Sequence, residues 1–284
     1  METNRAADIP MPTIAFGPYR LSRLIAGANT INGGSHLSRF VNMQMKRYFA
    51  PERVLQFLAD CEAAGINAWQ SGPGSNLDLY RQHRERGGGL HYISLGHDDP
   101  QDPQMLASIV AAGAIAVAHH GEVTDRMFKR GEIAQMADWL RRARDTGLLV
   151  GVSTHMPAVV DYVESAGWDV DFYMTCVYER HRTRDELKAL LGYVPLPERE
   201  VYLEEDPPRM WQAMRQTARP CLAFKILAAG RLCDRAERVE QAFEQTFGAI
   251  KSNDAVIVGM YPEYEDQVAL NAAYTRRFGA VGAV

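Results

Sequence analysis

The chain has 284 residues, 46% of them apolar and 23% charged, with 31 basic against 35 acidic side chains and a formal charge of −4. That composition suits a globular protein with a sizeable core and excludes a disordered, collagen-like or disulfide-scaffold chain. No basic stripe is present to neutralise phosphates, so nucleic acid is not an expected partner.

Apolar runs that end in turn residues and give way to helical spacing predict a regular alternation. Leu21 to Ala28 reads as the first strand. A helix opens at Pro51, repeats Val54, Phe57, Leu58, Cys61 and Ala64 at three- and four-residue steps, and stops at Gly65. Ile66 to Gln70 is the second strand, Tyr92 to Leu95 the third, Ala114 to Ala118 the fourth and Leu148 to Val152 the fifth. Val170 to Val177, Leu222 to Leu227 and Ala255 to Val258 complete the set. Between them, helices are predicted over Pro103 to Ala112, Gly131 to Thr146, Met156 to Ala166, Pro207 to Thr217, Ala236 to Lys251 and Glu263 to Tyr274.

Strands that are continuous apolar runs are buried on both faces, and their alternation with helices points to a single (β/α)8 barrel spanning residues 1–284. A doubly wound sheet is the competitor, but the turn after the first strand, GlyAlaAsnThrIleAsnGlyGly, lacks the GxGxxG phosphate loop. Two insertions, at about 30–50 and 179–206, follow the first and sixth strands and so belong to the face where barrels carry their chemistry.

The longest apolar run, near Met105 to Ala118, is broken by Ser108 and Gly113. It falls short of the roughly 20 residues that a bilayer span requires, so no membrane insertion is expected. The acid-bearing start, MetGluThrAsnArg, carries no secretory signal pattern. Cys61, Cys176, Cys221 and Cys233 are widely spaced without a CxxC pair, as for reduced thiols in the cytoplasm. The expected partner is a small-molecule substrate, with a homo-oligomer left open.

A closed barrel brings the residues just past each strand to one mouth. Those residues are Asn29, Gln70 and Ser71, His97 and Asp98, His119 and His120, His155, Tyr178 and Glu179, Lys225 and Tyr261. His97, His119 and His155 stand at the ends of successive strands about 4.8 Å apart, close enough for three imidazoles to share a divalent metal ion. General acid-base work or hydrogen bonding to loops is the competing use of the same histidines. Lys225 is a charge inside an apolar strand, LeuAlaPheLysIleLeu. Burying it is costly without a partner, for which Glu179 and Asp98 are the candidates, and a structural ion pair is as good a reading as a reactive lysine. Met43, Met45, Tyr48 and Phe49 are expected to pack within their own insertion.

Three stretches carry a resemblance: residues 140–155, ending GlyValSerThrHis; AlaPheLysIleLeuAlaAlaGlyArgLeu; and ValGlyMetTyrProGluTyrGluAspGlnValAlaLeuAsn. They resemble the aldo-keto reductase superfamily over most of the length, which implies the barrel and, in its usual members, NADP-dependent carbonyl reduction. Of that family's Asp, Tyr, Lys and His, the first three positions fall at Gln70, near Ser75 and close to His97, and only His119 matches. Thr154 stands where the family grips the nicotinamide amide, and the arginine expected near Tyr261 is missing.

The expected function is metal- or lysine-assisted proton transfer on a polar, sugar-like carbonyl substrate, by lyase, hydrolase or isomerase chemistry. In that reading His97, His119 and His155 hold the metal, Lys225, Glu179 and His119 do the proton chemistry, and Asn29, Gln70, Tyr178 and Arg231 bind substrate. A divergent NADP-dependent oxidoreductase with His119 as proton donor is the alternative, and an inactive barrel serving as a binding subunit is a third.

Overall fold

A computed structural model describes residues 9–198 and 200–280. Eight parallel strands close a barrel: β3 (Leu24–Gly27), β4 (Ala68–Ser71), β5 (His91–Gly96), β6 (Ala116–His119), β7 (Leu149–Thr154), β8 (Phe172–Cys176), β9 (Cys221–Phe224) and β10 (Ala255–Gly259). Each strand pairs with its neighbour in sequence, and β10 closes on β3 with Val256 opposite Leu24 and Gly259 opposite Gly27. The expected (β/α)8 barrel is therefore the observed fold.

Side chains alternate between two buried layers, as a two-residue strand period requires. Ile25, Ala68, Ile93, Ala116, Ala118, Phe172, Met174, Leu222 and Ile257 fill the interior. Leu24, Ala26, Trp69, Tyr92, Val117, Val150, Val152, Tyr173 and Val256 face the surrounding helices. Gly151 lies where a Cβ would meet the Phe172 ring at 2.5–2.7 Å, so only glycine fits beside that interior aromatic.

The segment read as one first strand is two. The antiparallel hairpin β1 (Thr13–Phe16) and β2 (Tyr19–Ser22) precedes β3, and Arg23 separates them. Ile14, Phe16 and Leu21 of the hairpin join the interior cluster and stop the lower end of the barrel, with Phe16 edge-on to Phe172 at 4.9 Å.

The outer layer contains the expected helices α2 (Pro51–Ala63), α4 (Met105–Ala111), α6 (Met136–Arg144), α7 (Pro157–Ser165), α9 (Asp206–Gln216), α10 (Ala236–Ala249) and α11 (Gln267–Phe278). Four more were not placed from the apolar pattern: α1 (Arg39–Tyr48), α3 (Ser75–Glu85), α5 (Gly121–Lys129) and α8 (Arg184–Leu191). Their sequences are mostly polar. α3 buries only Asn76, Leu77, Tyr80 and His83, and α8 only Leu187, so the apolar stripe that announces a helix is thin. Thr183 and Glu186 form a capping box on α8. No helix among the described residues is long and apolar enough to cross a membrane.

Candidate functional site

Because the strands are parallel, their C-terminal ends form one rim, and the two insertions fold over it. The first brings His36 and α1; the second brings Arg180, His181 and Glu200. Glu200 is the centre of the arrangement. Its Oε1 accepts from Lys225 Nζ at 2.8 Å, faces His36 Nδ1 at 3.3 Å and is in contact with Arg180 Nε. Its Oε2 accepts from the Tyr178 hydroxyl at 3.1 Å, and Lys225 lies 5.5 Å from the Tyr178 ring centroid. Burial alone would raise the Glu200 pKa, but Lys225, His36 and Arg180 hold it down to about 2. Burial, with the Lys225 charge, brings His36 down to about 4, so it is neutral at pH 7.

Among the described residues the non-glycine positions with positive φ are His36, Glu200, Lys225, Ala228 and Ala229, at 49–61°. Left-handed backbone costs a residue with a Cβ about 1–2 kcal/mol. Here it collects in three loops that meet at the mouth. Around the cluster, Arg231 donates to the His36 carbonyl at 3.3 Å, and Asn29 lies 3.4 Å from His36 Nε2.

A second group adjoins this one. Asp125, buried on α5, accepts the Thr154 hydroxyl at 2.5 Å, the His155 main-chain amide at 3.1 Å and His155 Nδ1 at 2.7 Å. The His155 ring packs edge-on between His181 and Phe224. Burial, then the charges of Lys225 and Arg180, push its pKa well below the ordinary histidine value. Burial raises Asp125 to about 6 against the pull of those hydrogen bonds. At neutral pH the pair is thus a carboxylate and a neutral imidazole with Nδ1–H fixed toward Asp125, which leaves Nε2 with its lone pair.

The sequence-chosen residues divide. Asn29, Tyr178, Lys225 and Arg231 converge on the Glu200 cluster, and His155 lies within its field. Gln70, beyond inward-facing Ala68 on β4, is buried and donates to the Ser71 carbonyl at 3.1 Å. The partner of Lys225 is neither candidate: Asp98 pairs with Arg142 at 2.6 Å, and Glu179 with Arg182 at 3.3 Å and Arg209 at 3.4 Å. Tyr261 goes into an aromatic cluster with Tyr48 and Phe49, so the first insertion packs across to the end of the last strand, while Met43, expected to pack within the insertion, is exposed.

The histidine trio is not brought together. His119 follows outward-facing Val117 in the alternation. Its Nδ1 meets the Thr124 hydroxyl at 2.7 Å and its ring stands edge-on to Trp139 at 5.0 Å, among the helices. His97 lies beside His120, with ring centroids 5.6 Å apart. The carboxylate and imidazoles that do approach one another are Asp125, His155 and His181, whose donor atoms lie within 4.8 Å of each other among the described residues. His181 Nε2, 3.5 Å from Asp125 Oδ2, is buried without a hydrogen-bond partner among the described residues. One carboxylate with two imidazoles is a donor set that divalent metals accept, so these residues fit a metal better than the trio read from sequence.

No protein-family model matches the chain and no curated protein matches it. Among solved structures, the chain is similar to 3-keto-L-gulonate-6-phosphate decarboxylase of Vibrio cholerae, at 11% identity over 95% of this chain and 97% of that one, with a TM-score of 0.48. A Schiff-base-forming fructose-1,6-bisphosphate aldolase matches at 16% identity over 89% and 92%, also at 0.48. The glycerol dehydrogenase of Gluconobacter oxydans matches at 13% identity over 78% of this chain but only 65% of its own, less than two thirds, at 0.45.

Proposed function

We propose that the protein is an enzyme that moves a proton beside the carbonyl of a small, polar, sugar-like substrate carrying a negative charge, giving elimination or isomerisation. The observation that carries this reading is the His155 and Asp125 hydrogen bond, 2.7 Å, set in a barrel mouth that also holds Lys225. Asp125 fixes the tautomer, so His155 Nε2 is the base that removes a proton from the carbon next to the carbonyl. The electron pair moves onto the carbonyl oxygen, where the Lys225 ammonium stabilises the developing charge. The imidazolium then returns the proton to the neighbouring carbon or to a leaving group.

The same electrostatics favour an anionic substrate. Burial first, then Lys225 and Arg180, hold His155 well below the pKa useful to a base, and a negative charge placed between the two cations offsets their share. We assign Asn29, Gln70, Tyr178 and Arg231 to bind hydroxyls and the anion. Glu179, engaged with Arg182 and Arg209, takes no part. In a competing use of the same residues, Asp125, His155 and His181 would hold a divalent metal that supplies Lewis-acid polarisation of the carbonyl, and His155 would then be a ligand and not the base. The free thiols accord with a reducing, cytoplasmic setting.

An aldo-keto reductase-like origin of the scaffold belongs to the same proposal, without its hydride chemistry. The alternative, NADP-dependent reduction, needs His119 as proton donor, and that ring faces Trp139 and the helices. Incubation of candidate keto and hydroxy sugar acids with the protein in D2O, followed by proton NMR, tests the choice. Exchange of the proton next to the carbonyl, lost in His155→Ala, is expected; tight NADPH binding by fluorescence with no exchange on any substrate would sink the reading.

A further inference from the structure

We propose that Lys225, Arg180, His36 and Tyr178 form a subsite for the carboxylate of a small organic acid, and that Glu200 is the carboxylate the chain itself keeps there until substrate displaces it. This rests on the proposed function only in taking the mouth as the place where substrate sits.

Four features of Glu200 distinguish it from a structural anion. It comes from the coil between α8 and α9, not from the barrel or its helices. Its backbone is left-handed, φ 57°, a conformation that glutamate adopts only when its surroundings impose it. Among the described residues its carboxylate meets only side chains: Lys225 at 2.8 Å, His36 at 3.3 Å, Tyr178 at 3.1 Å, and Arg180. Finally, two of those partners, His36 and Lys225, also stand on left-handed backbone, φ 56° and 61°, so strain is stored on both sides of the contact.

The distribution of donors is uneven. Lys225, Arg180 and His36 all approach Oε1, and among the described residues Oε2 receives only the Tyr178 hydroxyl. A carboxylate with freedom to rotate can divide a guanidinium and an ammonium between its two oxygens, the arrangement in which charge-assisted pairs are strongest. A ligand therefore finds a desolvated, preorganised set of cations that the tethered glutamate uses incompletely. The cost of entry is lifting one loop residue, and release of three strained backbone positions works toward that opening.

Glu200→Ala removes the resident carboxylate, and malonate is the probe. Thermal denaturation and calorimetric titration with malonate are expected to show binding at least about 10-fold tighter in the variant than in the natural protein, with a melting temperature that malonate raises by several degrees. Glu200→Gln, which keeps the loop's bulk but loses the charge, is expected to shift the same way and covers the case in which the alanine variant does not fold. Adding Lys225→Met to either variant is expected to abolish the gain. Malonate binding that is equal or weaker in both Glu200 variants overturns the proposal, and so does sulfate acting as well as malonate, because the site would then select charge and not a carboxylate. Loss of proton exchange on every substrate, with the malonate gain intact, would count against the proposed reaction and leave the subsite standing.

Discussion

The two ends of the barrel handle buried charge in opposite ways. At the lower end Arg23 donates to the main-chain carbonyls of Asp254, Gly279 and Lys251 at 2.8–2.9 Å, and Asp254 accepts the Cys221 and Lys251 amides, each at 2.8 Å. Apart from the Lys251 ammonium, 2.9 Å from Asp254, those partners are backbone groups of β9 and of the turns that flank α10, β10 and α11, and neither Arg23 nor Asp254 has a positive φ. At the mouth Glu200, Lys225, Arg180 and His36 meet side chain to side chain, and three of the four sit on left-handed backbone. Charge tied to backbone cannot be exchanged without unfolding the barrel; charge tied to side chains can be traded for a ligand. The first arrangement stabilises the fold and the second spends stability on a site.

If that contrast is right, substitutions at the two ends separate activity from stability. His155→Ala and Lys225→Met are expected to lower kcat by about 10³–10⁴-fold, or about 4–5.5 kcal/mol of barrier, with the circular dichroism spectrum unchanged. Steady-state kinetics on the substrate found by proton exchange checks this, and a loss confined to KM would remove both groups from the chemistry. Arg23→Ala is the converse. It strips three carbonyls of a buried donor, and a loss of about 3 kcal/mol in urea denaturation is expected, with kcat per folded molecule unaltered.

Asp125 tests a finer point, because it acts on the substrate only through His155. Asp125→Asn keeps the shape but can present an amide N–H to Nδ1, which turns the proton to Nε2 and blocks the base. A fall of about 10²-fold in kcat, near 2.7 kcal/mol, with little change in KM is the expected result.

How much of this was legible beforehand follows from the same physics. All eight barrel strands could be read, since strands buried on both faces are uninterrupted apolar runs. The helices α1, α3 and α5 could not, because they present few apolar residues to the core. Lys225 stood out as a charge within such a run, and its need for a carboxylate was deducible. Glu200 was not, since a coil acid carries no periodicity and only the folded insertion places it over the mouth. Asp125 was not legible either, since α5, the helix that buries it, was itself unread. His119 shows the limit most clearly. In AlaValAlaHis both faces are apolar, so the sequence contains no polar alternation to say which way its last residue points, and one step of parity moves a side chain from the mouth to the helix layer.

His119 also permits the smallest and most selective test. Burial beside Trp139 brings its pKa to about 3, against an ordinary value near 6.5, so the folded protein holds it neutral while the unfolded chain protonates it. A group with a depressed folded pKa contributes stability that is fully present above 6.5 and is lost as pH falls toward 3. At pH 5 the loss amounts to about 1.5 units, or roughly 2 kcal/mol relative to pH 7. His119→Phe has nothing to protonate and keeps an aromatic ring against Trp139, so its stability should fall by about that much less than the natural protein's over the same interval. The choice of pH 5 keeps Glu200 out of the comparison, because its pKa near 2 makes its contribution disappear only below the ordinary carboxylate range of about 4.3. Urea denaturation of the two proteins at pH 7 and pH 5 measures the difference, and kcat at pH 7 should be the same in both. A variant that loses activity at pH 7 while folded would return His119 to the mouth and undo the division between the site and its supporting shell.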